Sequence, residues 1–540
     1  MTERRRVRAG SRRPGAWRAP LAATAAALAL TACASRGAAR AATPAPMSPR
    51  AALRAAIDSM IDAPEFRSAH WGVLIVDPAN GDTLYSRNAG KLFMPASNQK
   101  LLTGATALAQ LGPEYRYHTT FAARGRVRGE TLDGDLVVVG RGDPTVSDHM
   151  RAGDAMAPLR AVADSLAARG IRRITGRIVR GGDAFPDAPL GFGWAWDDLP
   201  YAYSAGVDEL MFNEGFTRVL LRGGTRSGAA VAAATAPLHG YPGVTVRAST
   251  ALPGNGGSGA GQPDASWGVA GSSAAALAPG SVVVTGNLAP GDTTTLEAAY
   301  PDAAGAYLYA VSEALAARGI AGGRVELAER VPAESLAVLT TLATLESPPL
   351  REIMPALEKP SQNQIAEALY KTLGLEKTGV GSADSGRRVV EAQLAAWGAA
   401  PDGYAVRDGS GLSRHDYVSP ETIVRVLDAM RRDPSFKIYY DALPIAGVDG
   451  TIGSRMRGTP AQGNVHAKTG FVDRARSLSG YVTTADGKLV LFSLLCNNWT
   501  TPVRAVERVQ DEVAARLAAL QIGGTLSGAP PAPSAGLARP

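Results

Sequence analysis

At 540 residues the chain is too long for one ordinary domain, so two or three are expected. An apolar fraction of 45% with 19% charged residues is normal for globular protein. The net charge of +7 gives no case for nucleic-acid binding, because residues 1–32 hold seven arginines against one glutamate and the remainder is near neutral.

Arg4, Arg5, Arg6, Arg8, Arg12, Arg13 and Arg18 precede an apolar run over residues 21–30, the pattern of an export signal. The run ends in Leu30-Thr31-Ala32-Cys33, which resembles the bacterial lipobox, whose cysteine carries a lipid. Residues 1–33 are thus expected to be a signal peptide, with Cys33 lipidated and the protein anchored to a membrane. Ordinary cleavage after the small-x-small triplets at 32–34 or 39–41 is the alternative. Residues 34–48, rich in Ala, Pro and Arg without periodicity, read as a tether.

A helix is expected over 49–61, then strands 71–77 and 83–87 around Pro78-Ala79-Asn80-Gly81-Asp82, a β-hairpin. Leu101, Leu102, Ala105 and Leu108 fall on one helical face, and Gly112-Pro113 stops the run. From about residue 115 the pattern changes to short strands at 134–139, 174–180, 217–221, 281–286 and 293–298, with a helix over 303–318. An Ala/Gly/Ser-rich stretch at 253–279 reads as a mobile loop. Residues 119–339 are therefore expected to be a large β-rich insertion, with a nested piece at about 205–300.

Helices resume at 349–357 and 364–373, joined by Glu358-Lys359-Pro360-Ser361-Gln362-Asn363. Strands follow at 463–471, 479–484 and 488–497, the last containing Cys496 as a core residue. A final helix opens after Thr501-Pro502 with Val506, Val509, Val513, Leu517 and Leu520 on one stripe. Residues 522–540 read as a disordered tail. The expected fold is α/β (α+β), an antiparallel sheet of N-terminal hairpin and C-terminal strands flanked by helices. Its body comes from segments 49–118 and 340–521.

Three stretches carry chemistry. Ser97 is expected in the first turn of its helix with Lys100 three residues on, a nucleophile beside its base at a positive helix end. Only eight of the 56 basic residues are lysine, and arginine cannot give up its proton. Ser361-Gln362-Asn363 offers a hydroxyl to relay a proton and an amide to hold a substrate amide. Lys468-Thr469-Gly470 supplies a second cation that would ease deprotonation of Lys100, a hydroxyl for a carboxylate, and close backbone approach. Taken singly these read as a helix cap, a turn and a strand end; their order gives them weight.

With S-x-x-K, S-x-N and K-T-G in that order, the chain resembles the serine penicillin-recognising enzymes. The long separation of Ser97 and Ser361 resembles the class C low-molecular-mass penicillin-binding proteins, the D-alanyl-D-alanine carboxypeptidase/endopeptidase family. Gly140-Arg141-Gly142-Asp143-Pro144-Thr145, Trp194-Ala195-Trp196-Asp197-Asp198, Ser347-Pro348-Pro349-Leu350, Ala366-Glu367 and Asp408-Gly409-Ser410-Gly411-Leu412-Ser413 agree with it. Gln362 and Phe471 depart from the family's usual residues.

The resemblance implies a serine β-lactamase/penicillin-binding transpeptidase-like fold. It also implies an exported enzyme that cuts peptidoglycan stem peptides through an acyl-enzyme on Ser97 and is inhibited by β-lactams. Lys100, Ser361, Asn363 and Lys468 would be catalytic; Thr469, Gly470 and Phe471 would bind substrate, with Phe471 N–H in the oxyanion hole. Asp143 would either form a turn or reach a substrate side chain. No cofactor and no metal are expected, since the six histidines show no H-E-x-x-H spacing. A β-lactamase or esterase on the same scaffold, and a non-catalytic envelope-binding protein, are the competing readings.

Overall fold

The computed structural model describes residues 47–251, 262–267 and 281–523. The export segment, Cys33, the tether up to Pro46 and most of the Ala/Gly/Ser-rich stretch lie outside the described residues, as does the tail from 524.

The central sheet has five antiparallel strands in the order His466–Val472, Ala475–Thr483, Leu489–Asn497, His70–Asp77, Asp82–Arg87. Leu489–Asn497 is apolar almost throughout because helices cover both faces of the sheet. Leu491 and Leu495 point into one core; Val490, Phe492, Leu494 and Cys496 point into the other, as the two-residue period of a strand requires.

On the second face, Pro49–Ile61 and Val503–Ala519 pack through Leu53, Ile57, Val506, Val513 and Leu517. On the first lie Gln99–Leu111, Leu350–Glu358, Asn363–Thr378 and Pro420–Arg432, meeting through Leu101, Leu102, Ile353, Leu369 and Leu427. Gln99–Leu111 is buried on every side from Gln99 to Leu108, so it is the axis of that core. Its end is set by Gly112 at φ 82°, whose N–H returns to Leu108 O, a conformation that favours glycine.

The inserted part carries a second five-stranded sheet, ordered Ala321–Val331, Arg173–Gly181, Thr131–Val139, His118–Arg128, Thr340–Glu346. The first three strands are parallel and the last two antiparallel to their neighbours. Parallel neighbours need crossover connections, which accounts for helices Ala157–Ala168 and Ala303–Ala317 packed with this sheet in one core. Strand Thr340–Glu346 pairs with His118–Arg128, so this sheet runs past residue 340, where the sequence had the second body segment begin.

Strands Phe216–Arg222, Ala232–Ala236 and Thr293–Ala299 form one nested sheet, and Gly243–Val246, Asp264–Trp267 and Ser281–Thr285 another. They share a core of Val219, Leu221, Val282 and Val284. Among the described residues no helix is long and apolar enough to cross a membrane.

Candidate active site

Ser97 does not sit in the first turn of the α-helix. It occupies a 3-10 turn, Ala96–Asn98, that leads into Gln99–Leu111, with Ala96 at φ 48°. Tertiary contacts impose that turn. The turn's own bond runs from Asn98 N–H to Pro95 O at 3.2 Å, and the buried Ser477 hydroxyl, far along the chain, donates to the same carbonyl at 2.7 Å. Asn98 Nδ2 donates to Lys468 O at 2.8 Å, which ties the nucleophile turn to the edge strand His466–Val472. Gly470 lies on that strand where any Cβ would stand 2.9 Å from Ser97 N, so the two backbones touch.

Lys100 is fully buried one turn on and has three partners: Ser97 Oγ at 2.9 Å, Asn363 Oδ1 at 2.6 Å and Ser410 O at 2.8 Å. Two of these oxygens can only accept, whereas the serine hydroxyl can also donate. A neutral Lys100 therefore fits the same cage, giving two N–H bonds and turning its lone pair to the Ser97 proton. Burial, the largest influence, pushes Lys100 down to about 8, while Glu358, Asp408, Glu367 and Asp416 pull the other way.

Ser361 and Lys468 form the second half. Lys468 Nζ is fully buried and donates to Ser361 Oγ at 2.7 Å and to Thr469 O at 3.1 Å. Burial and then the Lys100 charge lower its proton affinity. Ser361 is held at φ 67°, a region a serine seldom visits. Gln362 caps the following helix by accepting from Gln364 N at 2.8 Å. Its Nε2 donates to the buried Glu214 carboxylate of the insertion, so the insertion helps fix the turn that holds Ser361.

Asn363 Nδ2 donates to Tyr203 O at 2.7 Å, again on the insertion, while its Oδ1 faces Lys100. Thr469 Oγ1 donates to Thr451 Oγ1 at 2.7 Å. Phe471 is 56% exposed, with the Arg476 guanidinium 5.3 Å from its ring centre. Ala467 N–H donates to Pro444 O on the open side of the edge strand. The continuous register places Phe471 N–H, four residues on, on that same side.

The eight expected site residues of the described part are thus gathered by the nucleophile turn, the Ser361 turn and the edge strand, while Cys33 lies outside the described residues. Asp143 is a turn residue: buried, accepting from Thr145 N at 2.8 Å and bridged in parallel to Leu210.

Sequence reasoning missed the supports. Ser410 O is aimed at Lys100 because Glu367 accepts from the N–H groups of Gly409 and Ser410 at 2.8–3.1 Å. Asp408 accepts from Gly411 N at 2.6 Å, Ser413 N at 2.7 Å and Trp194 Nε1 at 3.0 Å, pinning the insertion to the same loop. Glu367, Asp408, Ser410 and Trp194 all fall in stretches that had matched the family pattern, but their roles depend on contacts across the chain.

The description D-Ala-D-Ala carboxypeptidase 3 (S13) family matches residues 53–520. The chain belongs to that family. It is a serine-type peptidase, a hydrolase. It is 36% identical over 490 residues to a D-alanyl-D-alanine carboxypeptidase of Actinomadura sp. (strain R39), covering 86% of this chain and 84% of the relative. Identity to the D-alanyl-D-alanine carboxypeptidase DacB of Haemophilus influenzae is 27% over 430 residues, 77% of this chain and 82% of the relative. The crystal structure of penicillin binding protein 4 (dacB) from Haemophilus influenzae superposes with a TM-score of 0.72 at 24% identity, over 85% of this chain and 99% of that one. The fold is accordingly that of the penicillin-binding proteins, as the order of the three motifs implied.

Proposed function

We propose that the protein is an exported D-alanyl-D-alanine carboxypeptidase, with endopeptidase capacity, acting on peptidoglycan stem peptides through an acyl-enzyme on Ser97. The observation that carries this is a single hydroxyl, Ser97 Oγ, 2.9 Å from a buried lysine whose other two partners only accept. Lys100 takes the Ser97 proton as Oγ attacks the carbonyl of the penultimate D-alanine, and a C–O bond forms. The C–N bond to the last D-alanine then breaks as Ser361 gives its proton to the leaving amine and takes one from Lys468, whose Nζ already donates to it.

Backbone N–H groups of Ser97 and Phe471 receive the oxyanion, a contribution of roughly 3–4 kcal/mol per donor. Asn363 holds Lys100 and orients the acyl side, and Thr469 takes the terminal carboxylate. Water then attacks the ester and releases the shortened peptide. A β-lactam offers the same amide, and the Haemophilus relative's structure is known complexed with one. That supports β-lactam binding here.

Export and a lipid anchor at Cys33 rest on the N-terminal sequence. The domain reading, a catalytic body interrupted by the insertion, is supported by the separate cores of the two large sheets.

The test is mass spectrometry of the full-length protein treated with labelled penicillin, together with D-alanine release from stem peptides. The adduct is expected on the peptide containing Ser97, and Ser97→Ala is expected to lose both signals. Unchanged D-alanine release by Ser97→Ala would overturn the proposal.

A further inference from the structure

Glu358 ends the helix Leu350–Glu358, three residues before Ser361, and is completely buried. Neither carboxylate oxygen has a hydrogen-bond partner among the described residues. Such a group costs several kcal/mol unless opposite charge compensates it. Its neighbour Lys359 is turned away, donating to Leu443 O and pairing with Asp449 at 2.7 Å.

The carboxylate stands against the backbone of the nucleophile helix. A Cβ on Gly104 would lie 2.9 Å from Glu358 Oε1, and Gly104 follows Lys100 by one turn on the same face. The charged groups that act on it are Lys468 on the edge strand and Lys100 on that helix. Tyr439, on Phe436–Ala442, is also near, but its hydroxyl is committed to Leu101 O at 3.1 Å. Around the lysines, Arg476 acts on Lys468, and Glu367, Asp408 and Asp416 act on Lys100. Those three acids each accept backbone N–H bonds, whereas Glu358 accepts none, so its charge is left to the lysines.

We propose that Glu358 is a positioning residue of the reaction, the buried counter-charge that sets how many protons the Lys100–Lys468 pair holds when substrate arrives. With Glu358 ionised and both lysines protonated the trio carries one net positive charge, and with one lysine neutral it carries none. Without the carboxylate these become two and one, so mutual repulsion would strip the pair of its protons at lower pH. Glu358 thereby favours a lysine pair that shares one proton beside Ser97 and Ser361 when substrate arrives. Burial pushes Glu358 up to about 7 against the opposing pull of Lys468 and Lys100, so the acid and the two lysines share protons over one pH range. This role rests on the reading of Lys100 as base.

The test is the pH profile of Ser97 acylation by labelled penicillin, measured on the full chain. Glu358→Gln is expected to move both limbs to lower pH by on the order of one unit. Glu358→Asp, which keeps the charge, is expected to stay near wild type. Should Glu358→Gln fail to fold, Glu358→Met fills the site with an apolar side chain and must show the same displacement. A profile that overlays wild type, even at a uniformly lower rate, overturns the role of Glu358 while Ser97 is still labelled. A wild type never labelled at Ser97 overturns the base reading, and this role with it.

Discussion

Gly470 is where the edge strand and the nucleophile turn come closest, and adding one methyl there tests the site's geometry. In Gly470→Ala the new Cβ would lie 2.2 Å from Ser477 Oγ, 2.5 Å from Pro95 O and 2.9 Å from Ser97 N. Ordinary contacts need about 3.5 Å or more, so the strand and the turn must separate by about 1 Å. Two losses follow. The Ser477–Pro95 hydrogen bond, 2.7 Å long, opens. Overpacking of this kind costs about 1–3 kcal/mol of stability.

The Ser97 N–H then shifts from its place against the edge strand, and a misplacement of about 1 Å at a reacting centre lowers rate by about 100-fold. The assay is the second-order rate of penicillin acylation at Ser97, with a thermal melt alongside. Ser477→Ala in the same chain removes one of the three clashes and is expected to restore part of the rate. Acylation by Gly470→Ala within about threefold of wild type, far below that estimate, would refute the close-contact argument.

Three further outcomes are expected. Because the base must be unprotonated and burial pushes Lys100 down to about 8, acylation climbs as pH rises through that value. A stopped-flow profile flat across it argues against Lys100. Lys100→Arg keeps a cation that cannot release its proton, so acylation falls by about 100-fold to 10,000-fold while folding survives, as circular dichroism would verify. Gln362→Ala removes a helix cap worth about 1 kcal/mol. It also leaves the Glu214 carboxylate less satisfied, worth about 1–3 kcal/mol, so urea unfolding shifts downward and acylation slows together.

Local pattern was enough for the elements. The helix Pro49–Ile61 and the two hairpins around Gly81 and Gly487 were legible because each needs only its own periodicity and turn residues. The lysines were legible for a chemical reason: arginine-rich chains have little cause to use lysine where a permanent charge would serve. The 3-10 turn at Ala96–Asn98 was not legible, because Ser477 and the edge strand impose it from nearly four hundred residues away.

Glu358 illustrates the same limit. In sequence it belongs to a polar connection between helices, and nothing local distinguishes it from a solvated glutamate. Its meaning comes from burial against Gly104 and from two lysines carried by other elements. The sequence by itself determined which groups could react, since side-chain chemistry is intrinsic to the residue. Tertiary structure decided their burial and aim, because desolvation and distance exist only once Ser97, Ser361 and the two lysines are brought together by the fold.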